Sequence, residues 1–280
     1  MTLSQDIIRG AYEKACRLEI EALKPGNVHV FADGHRMTAE QFLTSARVSA
    51  MPLSNPGLAI GRRILEAVQA TRSAVGTNTN LGIVLLCAPL MRAAELPGEY
   101  RHNLGAVLER MDMTDTKAVF EAIALASPGG LGSAPAHDVR EEPKALILEA
   151  MAAAADRDSI ARQYVTRFAD VFGIGLGALD QALRRGETGM WPVVHTYLAF
   201  LAGFPDSHVA RKHGLEVARA ITAEADVLRS QLAQEAGETE RMGLLARLDR
   251  DLKSRQINPG TSADLTVACL LVHLLRSQLA

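Results

Sequence analysis

Apolar side chains recur along this chain at steps of three and four residues, the spacing that lines one face of an α-helix. Ile7, Ile8, Ala11, Ala15 and Leu18 open the series. Lys24-Pro25-Gly26-Asn27 stops it, because proline and the residue before it disfavour continued helix. Thr38 followed by Gln41 has capping-box spacing and predicts a second helix start. Ser54-Asn55-Pro56-Gly57 ends that helix, and Ile60, Ile64 and Val68 mark a third. Past the polar loop 76–80 a strongly apolar segment covers 81–91. Further helices are predicted over 103–110, 116–126 and 143–154, then from Asp156 through Phe172. The rest fall over 176–184, 191–202, 207–234 with a bend at Gly214, 239–253 and 262–279. No segment alternates with period two and β-branched enrichment, which argues against a sheet. The expectation is an all-α, compact multi-helix single domain over residues 1–280, with its site formed by inter-helix loops. The Gly- and Pro-rich stretch 127–142 is read as a covering loop within that domain, since apolar helices flank it closely.

Composition narrows the function classes. About half of the 280 residues are apolar, ample for a large core, and the net charge of −2 lacks the strong positive balance of a nucleic-acid binder. The longest apolar runs, near 82–91 and 191–204, are too short to span a bilayer. No signal-peptide core opens the chain. Cys16, Cys87 and Cys269 are few, scattered and set in apolar runs, which fits small buried hydrophobes in a reducing, cytoplasmic setting. An apolar helix face could pack internally or against a second copy; a homodimer is the expectation.

Four polar loops carry the candidate chemistry. The first joins Lys24, Asn27 and His29 around a rigid Pro-Gly turn, and it is either a plain helix end or a cation, amide and imidazole held together. The second, Gly76-Thr77-Asn78-Thr79-Asn80-Leu81-Gly82, precedes an apolar helix whose first N–H groups need partners. Asn78 or Thr79 caps that helix, or an anion or sugar sits against its positive end. The third sets Asp206 before Arg211 and Lys212, a solvated helix start or a place for a polyphosphate and its magnesium. The fourth, Asn258-Pro259-Gly260-Thr261-Ser262-Ala263-Asp264, follows Asp249 and Asp251. Thr261 and Asp264 have capping-box spacing, and the same carboxylate suits a magnesium–phosphate site. Gly173-Ile174-Gly175-Leu176-Gly177 is not a dinucleotide loop, since no strand precedes it; it reads as a close helix contact or a break. No Cys or His set has zinc spacing, and no phosphate-loop or nucleophile-elbow motif is present.

The order of these loops is more specific than any one of them. Lys24-Pro25-Gly26-Asn27-Val28, Phe42-Leu43-x-Ser45-Ala46 and Asn78-Thr79-Asn80-Leu81-Gly82 resemble the triphosphoribosyl-dephospho-CoA synthase family. So do Asp206 with Arg211-Lys212-x-Gly214, and Asn258-Pro259-Gly260-Thr261-x-Ala263-Asp264. The resemblance implies an all-helical enzyme that moves the triphosphoribosyl part of ATP onto an acceptor hydroxyl and releases adenine, with ATP as co-substrate and Mg2+ as cofactor. Where the named synthases read Asn-Thr-His-Lys-Gly, this chain has Asn78-Thr79-Asn80-Leu81-Gly82, which resembles a subgroup of methanogens and methanopterin-using bacteria. The acceptor is then dephospho-CoA or a pterin-type cofactor precursor.

Displacing adenine builds positive charge on the sugar and negative charge on the leaving base, so the reaction needs cations for phosphates, a base for the acceptor and stabilisation of the leaving group. On side-chain chemistry, Lys24, Arg211 and Lys212 are assigned to phosphates. Asn27, Asn78 and Asn80 are assigned to nucleotide oxygens. Asp206, Asp249 and Asp264 are the magnesium candidates, and His29 or the His137-Asp138 pair the base. Two other readings stay open: a different sugar-phosphate or nucleotide-processing enzyme on the same scaffold, and a non-catalytic helical scaffold in a cofactor-synthesis complex.

Overall fold

The computed structural model describes residues 2–128, 137–235 and 237–279, all helical apart from turns and loops. Among these residues fourteen α-helices run α1 Gln5–Ile20, α2 Ala39–Leu53, α3 Ile60–Val75, α4 Leu81–Ala94, α5 Tyr100–Glu109, α6 Met113–Ala126 and α7 Ile147–Ala152. They continue with α8 Ser159–Val165, α9 Leu176–Arg184, α10 Trp191–Gly203, α11 Ser207–His213, α12 Leu215–Gln234, α13 Glu238–Ser254 and α14 Gly260–Leu279. No strand occurs among the described residues; two isolated bridges, His29 with Ala32 and Gly34 with Met37, only tighten the loop before α2. The all-α, single-domain expectation is met.

The centre is built from three helices apolar on nearly every side. All but one residue of α4 is buried, and α10 and α14 are buried along most of their lengths. Such helices can only sit inside a protein, because no face of them is content in water. α14 packs on α1, α4 and α10, while α2, α3 and α6 close one flank and α12 and α13 the other. The three cysteines are free and buried in this core. No helix among the described residues is long and apolar enough to cross a membrane.

Local signals fix many ends. The Thr38–Gln41 capping box forms, and Gly76 closes α3 in the left-handed conformation that favours glycine. Gly175 does mark a close helix contact: a Cβ there would lie 2.5 Å from Phe200 Cζ and 2.9 Å from Cys269 Sγ. The chain around it forms a short π-turn, Val171–Gly175, before α9.

Elsewhere the chain departs from its pattern. The helix predicted over 143–154 shrinks to Ile147–Ala152. The one predicted from Asp156 through Phe172 divides, because Arg167 and Phe168 take positive φ and fold the Phe168 ring into the core beside Tyr164. The expected bend at Gly214 is a complete break between α11 and α12, at φ 91° and ψ 157°. Thr261 does not cap α14; the helix already starts at Gly260, and its first N–H groups find a partner elsewhere. The centre of the covering loop, residues 129–136, lies outside the described residues.

Candidate functional site

Asp206 supplies the missing cap. Its Oδ1 accepts from the backbone N–H of His208 (2.9 Å) and Val209 (3.1 Å), which start α11. Its Oδ2 accepts from the N–H (2.7 Å) and hydroxyl (2.8 Å) of Ser262 in the first turn of α14. One buried carboxylate thus joins two helix starts, with Thr261 Oγ1 bonded to Ser207 Oγ at 3.0 Å beside it.

Around that joint a cleft of about 1190 Å³ opens. Its walls come from the ends of α1, α4, α6, α8, α11 and α14 and from the loop before α2. The N-termini of α4 and α14 both face it, and a helix N-terminus carries partial positive charge. Asn78 caps α4, accepting from Leu81 N–H at 3.1 Å. Asn80 donates to Ser49 Oγ at 3.3 Å, and Thr79 meets Ser45 Oγ at 2.6 Å. Asn27 donates to Asn258 Oδ1 at 2.8 Å, leaving its own buried Oδ1 without a partner.

Of the sequence-assigned residues, Asn27, Asn78, Asn80, His137, Asp138, Arg211, Lys212 and Asp264 line this cleft. Four do not. Lys24 is fully buried behind the wall, donating to the carbonyls of Glu19 (2.7 Å), Ala22 (3.3 Å) and Val28 (3.0 Å) and pairing with Glu19 Oε1 at 3.2 Å. Its ammonium has no direction left for a phosphate, so the phosphate assignment gives way to a structural ion pair. Asp206 is spent on its two caps. Asp249 accepts from Gly26 N–H at 2.9 Å and pairs with Lys253 at 3.1 Å and with His29 at 3.3 Å. His29 is buried in that network, away from the cleft. The three expected magnesium ligands therefore do not meet, and no group of three or more acidic, His or Cys side chains among the described residues converges in metal-holding geometry. The donor set does not fit a resident metal.

Sequence reasoning missed several members of the wall. Glu19 faces the cleft, although its residue is 3% exposed. The signal existed: Ile8, Tyr12, Ala15 and Glu19 follow steps of three and four, which places Glu19 on the buried face of α1. His35 and Arg36, both with positive φ, reach the cleft from the loop before α2, and His35 Nε2 meets Gly26 O at 2.7 Å. Arg72 and Arg157 add cations. Asp158 caps α8 and holds Arg211 at 2.7 Å. Burial first, then the charges of Lys212 and Arg211, bring the pKa of His208 down to about 3, so its imidazole is neutral.

The acidic floor is Glu19 and Asp264. Asp264 accepts no hydrogen bond and forms no ion pair among the described residues, and burial followed by the Glu19 charge pushes its carboxyl well above the usual aspartate range. It lies tight against the second residue of α4, where a Cβ on Gly82 would overlap its carboxylate and approach Ile160 Cδ1 to 2.8 Å. Only glycine leaves room for the carboxyl in that place.

The cleft is lined by cations, side-chain amides and carboxyl groups, and residues 5–280 match the family described as ATP:dephospho-CoA triphosphoribosyl transferase (CitG). The chain belongs to this family. Its fold is similar to the crystal structure of a candidate triphosphoribosyl-dephospho-CoA synthase from Archaeoglobus fulgidus, at TM-score 0.64 and 27% identity. That match covers 82% of this chain and 97% of the archaeal one. No curated protein matches the sequence. In this CitG-family chain each of the four polar loops sends residues to the one cleft, among them Asn27, Asn78, Arg211 and Asp264, and the reaction of the family is transfer of a triphosphoribosyl group.

Proposed function

We propose that this protein transfers the triphosphoribosyl group of ATP to a hydroxyl of dephospho-CoA or a related cofactor precursor, with release of adenine. The observation that carries the reading is the convergence of Arg36, Arg72, Arg157, Arg211 and Lys212 above the Glu19–Asp264 floor in a single cleft. Its volume of about 1190 Å³ exceeds the usual range of small-ligand pockets, so it accommodates a nucleoside triphosphate and an acceptor together.

The cations and the α4 and α14 N-termini hold the triphosphate. Magnesium enters as the MgATP substrate and supplies charge neutralisation of the phosphates. Asn27, with its unpaired carbonyl oxygen, and Asn80 orient ribose hydroxyls. His137 and Asp138 line the same cleft. Leu81 occupies the position where the named synthases carry a cation. That loss of charge supports the subgroup with a less anionic acceptor, such as a pterin-type one-carbon cofactor precursor.

The test is direct. Purified protein is incubated with MgATP and either dephospho-CoA or hydroxyl-bearing pterin precursors, and adenine is quantified by chromatography while the acceptor is followed by mass spectrometry. The expected result is equimolar adenine and a triphosphoribosylated acceptor. Free triphosphoribose with no modified acceptor would make the protein a ribosyl hydrolase, and no adenine with any acceptor would overturn the enzyme reading.

A further inference from the structure

We propose that Glu19 and Asp264 form an acid–base pair in which Glu19 takes the proton of the acceptor hydroxyl and Asp264 gives a proton to the departing adenine. The proposal rests on the transferase reading and assigns the proton transfers within it. Its basis is the contrast between two carboxyl groups set on the packed helices α1 and α14 at one cleft floor.

Glu19 has an ion-pair partner, and Asp264 has none among the described residues. Lys24 Nζ lies within 3.3 Å of three backbone carbonyls and 3.2 Å from Glu19 Oε1. Four oxygen acceptors around one nitrogen require the ammonium, since a neutral amine brings only two N–H donors and a lone pair of its own. Burial raises the Glu19 pKa, and the Lys24 ammonium opposes that rise by favouring the carboxylate. Glu19 takes no hydrogen bond on its other oxygen from any described residue, and the side chain lines the cleft. A carboxylate locked on one oxygen and unengaged on the other is built to accept a proton.

Asp264 has the opposite surroundings. After burial, the negative charges of Glu19 and Asp206 raise its pKa, and Arg211 acts against them. Gly82 presses on its carboxyl from one side, which fixes the position of the group without satisfying it. An ion pair favours the carboxylate at Glu19 and no such partner does so at Asp264, which divides the two into a base and an acid.

The step balances. The ribose C1–N9 bond of ATP breaks and its electron pair passes to the adenine ring, which takes the Asp264 proton and leaves neutral. The acceptor O–H gives its proton to Glu19 as the new C1–O bond forms. After product release the proton returns from Glu19 to Asp264 through solvent. Nothing is oxidised or reduced.

Glu19→Gln and Asp264→Asn, both nearly isosteric, test the pair in the full chain with MgATP and dephospho-CoA. Each should lower kcat by roughly 10²–10⁴-fold with the KM for ATP little changed. The acid limb of the kcat–pH profile should vanish in Glu19→Gln and the alkaline limb in Asp264→Asn. An ATP analogue alkylated at N7, whose base leaves without a proton, should restore Asp264→Asn towards wild type and leave Glu19→Gln impaired. His137→Gln should keep both limbs. Independently of turnover, the infrared spectrum of the wild-type protein near neutral pH should show a protonated-carboxyl band that Asp264→Asn lacks. A wild-type protein with adenine release but with no such band, or with limbs that survive both substitutions, overturns the pair and leaves the transferase standing. A wild-type protein that shows the band yet releases no adenine overturns the transferase, and the pair's role in it.

Discussion

Gly82→Ala separates catalysis from stability in this fold. The added Cβ would sit 2.5 Å from Asp264 Cγ and 2.8 Å from Ile160 Cδ1, overlapping the carboxylate oxygen. Ordinary carbon–carbon contact is about 3.5–4.0 Å, so the Asp264 carboxyl must retreat by roughly 1 Å or more. No hydrogen bond holds it, so rotation of the side chain is the easy way out. Overpacking costs about 1–3 kcal/mol, and replacing a helical glycine by alanine returns up to about 1 kcal/mol. The net loss of stability should be small, whereas a displacement of about 1 Å at a reacting group lowers turnover by on the order of 100-fold. Gly61→Ala is the matched control. Its Cβ would lie 2.5 Å from Asp115 Cα and 2.8 Å from Asp115 C, backbone atoms that cannot rotate away, at the α3–α6 contact outside the cleft. That variant should lose about 3 kcal/mol or more, which lowers Tm by roughly 6 °C or more, yet keep near-normal kcat per folded molecule. Thermal melts by circular dichroism and adenine release with MgATP read the two quantities separately. If Gly82→Ala turns over within about three-fold of wild type, the placement of Asp264 against α4 has no part in the chemistry.

Other consequences follow from the same side chains. Lys24→Met leaves Glu19 as an uncompensated buried charge and should cost about 3–5 kcal/mol in denaturant melts. Glu19→Gln in the same chain should recover much of it, and a Lys24→Met protein as stable as wild type would remove the ion pair from the account. For Asp264, the native protein binds more protons than the unfolded chain at pH values between the usual 3.8 and the raised folded pKa, so stability falls as pH rises through that window. Asp264→Asn should therefore gain on wild type at about pH 8 relative to about pH 4, and an equal difference at both pH values would refute the shift. Lys212→Ala and Arg36→Ala should each weaken MgATP binding about 10-fold by calorimetry, with a flatter salt dependence, while unchanged affinity in both would move the triphosphate elsewhere.

Much of the helical frame was legible because it rests on local rules. The Thr38–Gln41 capping box and the period of α1 need nothing beyond a few residues of chain. The failures share one cause, which is control from a distance. Arg167 and Phe168 break a predicted helix because the Phe168 ring is wanted in the core. Thr261 loses its cap because Asp206, brought from another helix start, has taken the donors of α14. Lys24-Pro25-Gly26 looks like an exposed turn with a free cation, and only the three-dimensional curl of carbonyls shows that the cation points inward.

The same distinction explains which site residues could be read in advance. The amides of the 76–80 loop and the cations after Asp206 lie at helix ends, where polar side chains are legible as caps or ligands. Glu19 hid inside an apolar face, and a charged residue at a buried helical position signals function more strongly than one in a polar loop, since burial without purpose costs stability. Asp206 shows how that cost is met when the purpose is structural: four donors fill its oxygens. Asp264 and the second oxygen of Glu19 have no such compensation. A fold that satisfies the Asp206 carboxylate completely and leaves Glu19 and Asp264 wanting, in the lining of a wide cleft, holds those two for something that arrives from outside.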